Sequence, residues 1–589
     1  MQDNKEQNLN KRDRKKVFKR LLSYLLKYKF LVALALLMTI AANFLVLAGP
    51  YLSGKAIAAI ELGIGKVDFN TVYKYAGLML SFFALSAGLS YLLTIVMVNI
   101  SRKITFGMRK EVFEKITALP VGFFDTHQAG DILSRISYDI DVINVSLSSD
   151  VIQMLAGVIT VLGSLLMMLL ISKVLSLIFL ITIPVSLIVT KFRSQKVRPL
   201  FSKRSRKLGE LNGFTEEMVS GQKTLKAYLR EEYTIDNFSE FNNTAVDSTY
   251  EAEYHAGAFG PSVNFINNST LTMISVLGAL LFLGGHISLA NISSFVLYSK
   301  KFAGPINETA NIIAELQSAL SAAERIFRIL DEISEPEDSA QALELNDPHG
   351  HIEIENVDFS YVKGTPVLKD INFEAKEGTL VAVVGPTGGG KTTLINLLMR
   401  FYDVDSGSIL LDELKIDNIK RKDLRLAYSM VLQDTWLFHG TVYDNIRYGR
   451  PDASKEEIIA ASKAANIHDY IESLPSGYDT IINDDGTNIS KGQKQLLTIA
   501  RAMLMDTNLL ILDEATSNVD TRTEENIQKA MTTLMKGKTS FIVAHRLSTI
   551  QNADHILVIK EGRIIEEGKH KDLLEEKGFY ADMFYSQFI

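Results

Sequence analysis

The chain has no cysteine in 589 residues, a single tryptophan and only 12 prolines. Without thiols there is no disulfide scaffold, no Cys-ligated zinc or iron–sulfur site and no thiol nucleophile. A basic excess is missing too. Its 62 Lys and Arg face 68 Asp and Glu, a net charge of −6 that argues against a general nucleic-acid binder. What is present is length beyond a single core, with 47% hydrophobic residues beside 22% charged ones. Such averages conceal two halves of different composition.

The first half lacks charge over long stretches. Residues 30–52, 76–100, 151–171, 174–190 and 259–285 contain no Asp, Glu, Lys or Arg. A helix crosses the hydrocarbon core with about 20 apolar residues, and 174–190 sits at the lower limit of that range. A sixth segment starts at Ile287 and meets Lys300 and Lys301. One such run would suit a buried helix of a soluble protein, but five in succession predict a membrane domain. The basic flank from Lys5 to Lys29 places the N-terminus in the cytoplasm. The apolar run behind it is too long for a cleaved signal. Residues 53–75 and 172–173 then lie outside, and 101–150 and 191–258 inside. The inner connections are charged and rich in helix formers, which predicts stalks reaching about 35 Å past the membrane at 1.5 Å per residue. Lys301 and Glu308 stand two helical turns apart on one face. They and Asn264, Asn267, Asn268 and Thr270 either line a cavity or serve pairing, snorkelling and interhelical hydrogen bonds.

After residue 330 the composition changes. Residues 331–350, with EISEPEDS and NDPHG, read as a linker. Beyond it, short strand-like runs (IEIENVDF, LVAVVG, NLLILD, SFIVAH, HILVI) alternate with helical segments. That alternation predicts an α/β domain over 351–589 with a largely parallel sheet. The expected division is 1–29 basic N-terminus, 30–330 membrane domain, 331–350 linker and 351–589 α/β domain.

Gly385-Pro386-Thr387-Gly388-Gly389-Gly390-Lys391-Thr392 fits G-x-x-x-x-G-K-[ST] between an apolar strand and a helical run. Glycines let backbone N–H groups wrap phosphates, and the helix N-terminus adds partial positive charge. Lys391 is placed to neutralise β/γ oxygens and Thr392 to ligate Mg²⁺. A second apolar strand ends in Asp513-Glu514, with Asp513 expected to support the Mg²⁺ shell from a neighbouring strand and Glu514 to polarise the attacking water. His545 follows the strand FIVA, where it is either an ordinary surface residue or a hydrogen-bond donor to the leaving phosphoryl group.

Taken together the motifs resemble a half-transporter of the ATP-binding cassette (ABC) exporter superfamily, with one transmembrane domain fused to one nucleotide-binding domain. The resemblance runs from about residue 20 to the end. It implies a six-helix all-α membrane domain followed by a P-loop ATPase domain with a mostly parallel sheet and an antiparallel β subdomain. Tyr361 takes the place of the adenine-stacking aromatic, Gly385–Thr393 that of Walker A, and Gln433 that of the Q-loop, implied to touch Mg²⁺. Ile489-Ser490-Lys491-Gly492-Gln493 stands where the signature LSGGQ belongs, so Ser490, Gly492 and Gln493 are implied to contact a partner's ATP. LLILDEATSNVD resembles Walker B and the D-loop, and His545 the switch histidine. FFDTHQAGDILSRISYDID and EEMVSGQKTLKAYLREE resemble the two cytoplasmic loops whose short helices dock on nucleotide-binding domains, the second on the partner chain. Trp436 either packs against such a helix or belongs to the core.

The implied function is ATP-driven, Mg²⁺-dependent export of hydrophobic or amphipathic compounds, multidrug-type, from the plasma membrane. Its partners are membrane lipids, a hydrophobic small molecule and a second half-transporter. Lys491 departs from the family pattern, since a long side chain stands where the loop must approach the partner's γ-phosphate. Walker A, Asp513, Glu514 and His545 match it. That imbalance resembles one subunit of a heterodimer with one competent and one degenerate ATP site. A homodimeric lipid or peptide exporter tolerating Lys491 is the alternative, and an ATP-gated channel or sensor is the alternative of another class.

Overall fold

The computed structural model describes residues 15–61, 66–432, 435–482, 489–513, 520–543 and 550–588. The chain forms two compact units: residues 1–117 with 129–332, and residues 118–128 with 333–589. The first is helical throughout its described residues. Its long helices are α1 (Lys29–Ile60), α2 (Phe69–Thr117), α3 (Val151–Ile171), α4 (Ile178–Ser220), α5 (Gln222–Ala227), α6 (Glu231–Gly257), α7 (Phe259–Leu283) and α8 (Leu289–Asp331), with α5 the one short exception. Five helical stretches among the described residues are long and apolar enough to cross a membrane. The α2 helix runs unbroken for 49 residues, about 73 Å at 1.5 Å per residue, far more than a bilayer core needs. The charged inner connections therefore do continue the apolar helices.

Prolines are scarce, yet Pro50, Pro184, Pro199 and Pro305 all lie inside long helices. Neighbouring side chains engage the backbone around such breaks. Tyr298 Oη donates to the Leu47 carbonyl at 2.7 Å, and Ser294 Oγ to the Pro50 carbonyl at 2.9 Å. Both bonds tie α1 to α8. Gly54 permits the approach, because a Cβ there would stand 2.0 Å from Ser294 Oγ. Nearer the stalks, two π-helical turns (Arg135–Asp139 and Ser146–Asp150) interrupt the chain. Asp139, buried in the first, accepts from Arg325 Nε on α8 at 2.8 Å.

The second unit is built on two larger sheets and a two-stranded ribbon of β7 (Gly440–Thr441) with β8 (Ile481–Ile482), strands numbered in chain order. One is antiparallel, in the order β2 (Leu368–Ala375), β1 (Ile352–Phe359), β4 (Ser406–Leu411), β5 (Leu414–Lys415). The other has six strands in the order β12 (Arg563–Gly568), β11 (His555–Lys560), β3 (Leu380–Val384), β10 (Thr539–Val543), β9 (Leu509–Asp513), β6 (Tyr428–Val431). All its neighbours pair in parallel except β11 with β12. β3, β9 and β10 are apolar and almost wholly buried, as expected of central parallel strands covered on both faces. One expectation needs correcting. β9 is not the neighbour of β3, because β10 lies between them.

The acidic segment after residue 332 is not a loose tether. It belongs to the second unit, where Glu335 accepts from Arg425 Nη1 at 3.0 Å, Asp338 from Arg421 Nη1 at 3.2 Å and Glu344 from Lys420 Nζ at 2.7 Å. The short helix Val121–Thr126 also belongs to this unit, although the chain on either side of residues 118–128 belongs to the helical one.

Candidate functional site

The register of the parallel sheet gathers the motifs at one edge. Val543 at the end of β10 pairs with Asp513 at the end of β9 and with Val383 on β3. Val431 on β6 pairs with Leu512. The carboxyl ends of β3, β10, β9 and β6 thus lie side by side, at the edge where open α/β sheets place their ligands. Gly385 follows β3, residue 514 follows β9, and residues 545 and 433 each come two positions after a strand end. Gln433, Glu514 and His545 themselves lie outside the described residues, as does most of the D-loop.

The phosphate loop turns on left-handed backbone. Gly385 has φ +142 and its Cβ would meet the Ile559 carbonyl at 2.0 Å, while Gly390 has φ +110 and caps the helix Lys391–Leu398. Lys391 is buried, and its ammonium donates to the Gly385 and Pro386 carbonyls at 2.9 Å each. Desolvation pushes its pKa down, and the nearby Asp513 carboxylate opposes the shift. Thr392 is exposed at the start of the helix. A glycine cradle, a desolvated cation, a helix N-terminus and an adjacent carboxylate are a donor set that fits a nucleotide triphosphate with Mg²⁺. Among the described residues no three His, Cys, Asp or Glu side chains gather; Mg²⁺ in such sites is held by one or two protein groups together with phosphate oxygens and water.

Tyr361 stands over the first turn of that helix. Its hydroxyl donates to Thr393 Oγ1 at 3.2 Å and accepts from Asn396 Nδ2 at 3.3 Å, and its ring remains 44% exposed. Edge-on contacts with Phe359 and Tyr402, 4.9 and 5.0 Å between centroids, hold the ring in place. Tyr402 was not singled out from the sequence. Its hydroxyl bonds Asp125 of the helix Val121–Thr126, and burial with that carboxylate raises its pKa. A Cβ on Gly122 would lie 2.9 Å from the Tyr402 ring. The first-loop helix therefore touches the aromatic that braces Tyr361.

Ser490 and Gln493 form a reciprocal capping box on the helix Lys491–Met505. Ser490 Oγ accepts from the Gln493 amide at 3.3 Å and Gln493 Oε1 from the Ser490 amide at 3.0 Å. The S-x-x-Q spacing before an apolar helix was a legible sign of this. Gly492 is buried, whereas Lys491 is exposed at the first helical position, with ordinary backbone. Trp436 is 68% exposed, which excludes the core reading, and Phe438 and Tyr448 are exposed too, their rings tilted by 31° with centroids 4.6 Å apart.

Two cavities of the helical unit are bordered by residues singled out from the sequence. Lys300 of α8, not Lys301, borders the first with Asn267, Asn268 and Thr270, whereas Asn264 is exposed outside it. Glu308 borders a separate cavity against α3. Lys301, expected on the same face as Glu308, borders neither of these two cavities, and its neighbour Lys300, about 100° round the helix, borders the first.

With this geometry in hand, the comparisons agree. The family profile of the ABC transporter transmembrane region matches residues 32–306 and that of the ABC transporter matches 368–517. The uncharacterized ABC transporter ATP-binding protein YfiC of Bacillus subtilis is 43% identical over 98% of this chain and 95% of its own. The chain belongs to the ABC exporter family. This ABC exporter half-transporter carries its transmembrane and nucleotide-binding domains in one polypeptide, and it hydrolyses ATP coupled to transport. A fatty acid ABC transporter ATP-binding/permease protein of Mycobacterium bovis is 43% identical over 88% of this chain and 82% of its own. An ATP-dependent lipid A-core flippase of Idiomarina loihiensis is 35% identical over 98% of each. Among solved structures, a bacterial Atm1-family ABC exporter with ATP bound superposes with a TM-score of 0.78 at 28% identity, covering 95% of this chain and 98% of that one.

Proposed function

We propose that this exporter works as one half of a two-chain, six-spans-per-chain transporter in the plasma membrane, with its nucleotide domain in the cytoplasm, moving hydrophobic or amphipathic compounds outward. The observation that carries this reading is the alignment of strand ends beside a buried, carbonyl-held Lys391. On it, Tyr361 stacks on adenine, Gly385–Thr393 wrap the phosphates, and Lys391 neutralises β/γ oxygens. Thr392, Asp513 and Gln433 hold Mg²⁺, which when bound offsets phosphate charge. Glu514 orients and deprotonates the attacking water, and His545 donates to the phosphoryl group. Ser490, Gly492 and Gln493 present a helix N-terminus to the partner's nucleotide. Closure of two such domains and its release on hydrolysis is a two-state switch, transmitted by the cytoplasmic helices. The exposed tip of the second loop supports a partner contact, because Tyr228 and Leu229 beyond α5 are 74% and 83% exposed.

A different chain is the partner favoured by Lys491, since its Cβ and long side chain stand where the loop must approach the partner's γ-phosphate. The homodimer, exporting lipid, is supported by the intact capping box and the unstrained, outward Lys491. ATPase assays on the chain alone and with a second half-transporter carrying an LSGGQ signature separate the two, and robust cooperative turnover by the chain alone would exclude the heterodimer. Glu514→Gln is expected to lower turnover about 10²–10⁴-fold with ATP binding retained. Turnover near wild type would remove Glu514 from the proposed role.

A further inference from the structure

The first cavity in the helical unit has a chemistry that narrows the cargo. It measures about 100 Å³ and is bounded by α4, α7 and α8. That is well below the volume of a drug-sized site, about 300–1,000 Å³, and suits a headgroup rather than a whole compound. Lys300 is the one charged residue on its wall, beside Asn267, Asn268 and Ser299, with Phe179 and Phe302 as apolar lining. Among the described residues, Lys300 makes no ion pair and the side chains of Asn267, Asn268 and Ser299 make no hydrogen bond. Four polar groups with unused hydrogen-bonding capacity thus border one small space.

Depth sharpens the point. Lys300 lies eleven residues into α8, which begins at Leu289, about 17 Å along the helix; with α8 as the sixth span proposed above, entering the hydrocarbon core near Leu289, that is close to the middle of a core about 30 Å thick. A cation there is too deep to reach the interface along its own stem, and such residues normally face a cavity or a counter-charge. Here the cavity is present and, among the described residues, no carboxylate borders it. A separate cavity of about 510 Å³ against α3 is bordered by Glu308 instead.

We infer that the Lys300 pocket receives the anionic headgroup of an alkyl amphiphile, a carboxylate or a phosphate monoester. Lys300 supplies the charge, Asn267, Asn268 and Ser299 supply amide and hydroxyl hydrogen bonds, and the chain of the ligand lies along Phe179 and Phe302. This inference rests on the export of amphipathic compounds proposed above and specifies the class of cargo.

The test uses the ATPase-active dimer of the full chain in phosphatidylcholine vesicles, with laurate, dodecyl phosphate and dodecyltrimethylammonium as probes. Laurate, dodecyl phosphate or both are expected to stimulate ATPase at concentrations at least tenfold below the ammonium compound, and which of the two acts identifies the headgroup. Lys300→Met should erase that preference and Lys300→Arg should keep it, the arginine variant also showing that the fold survives substitution. Equal stimulation by all three probes, or a preference that survives Lys300→Met, overturns the inference while leaving amphiphile export standing. Stimulation by none of them overturns both.

Discussion

The two units treat large apolar side chains in opposite ways. In the nucleotide unit Phe541, Leu510 and Leu512 are 0% exposed, while in the helical unit Phe265 is 73% exposed, Val276 57% and Leu280 61%. The same residue types cannot follow contrary rules in one solvent. Burial in the nucleotide unit reflects water on its outside. Outward apolar side chains in the helical unit reflect lipid tails, against which removing a leucine from view gains almost nothing. Cohesion there comes instead from hydroxyl-to-carbonyl bonds at proline breaks and from close approach at Gly54.

That contrast is broken most sharply by truncating one ring in each unit. Phe541→Ala is expected to cost about 3–5 kcal/mol, because a fully buried ring leaves a cavity. Phe265→Ala should cost less than about 1 kcal/mol, since lipid replaces the lost contacts. Thermal unfolding of the chain in lipid nanodiscs checks both, and equal losses would mean that Phe265 is packed against protein. Introducing charge reverses the ranking. Val276→Lys, midway along α7, should cost about 2.5–3.5 kcal/mol in membrane insertion. Ile565→Lys, 42% exposed on β12 of the nucleotide unit, should stay within about 0.5 kcal/mol. Insertion efficiency measured for Val276→Lys at wild-type level would argue that the helix does not face hydrocarbon.

Much of this division was legible in the sequence because it rests on local pattern. Uncharged runs mark lipid contact, and a motif between an apolar strand and a helix marks its own turn. What escaped depends on pairing between distant residues. That β10 intervenes between β3 and β9 is decided by tertiary hydrogen bonding, not by either strand's composition. Tyr402 looks like any aromatic until Asp125, 277 residues away, meets it. Lys300 and Lys301 are indistinguishable until neighbouring helices decide which one borders a cavity. The isolated Trp436 invites a core reading, yet its position on a surface of the nucleotide unit was settled by packing alone.

Ser490 offers the smallest and most discriminating experiment, since it holds two possible jobs. As a cap it satisfies the Gln493 amide, and Ser490→Ala should destabilise the nucleotide unit by about 1 kcal/mol. Asp caps a helix as well as Ser does, so Ser490→Asp should restore thermal stability. It should not restore ATPase if this residue also faces the phosphates of a partner's nucleotide, because a carboxylate repels them. Recovery of both stability and turnover in Ser490→Asp would reduce Ser490 to a cap. Recovery of stability alone would separate the folding role, which water-exposed helices everywhere demand, from the one that exists only when two nucleotide units meet.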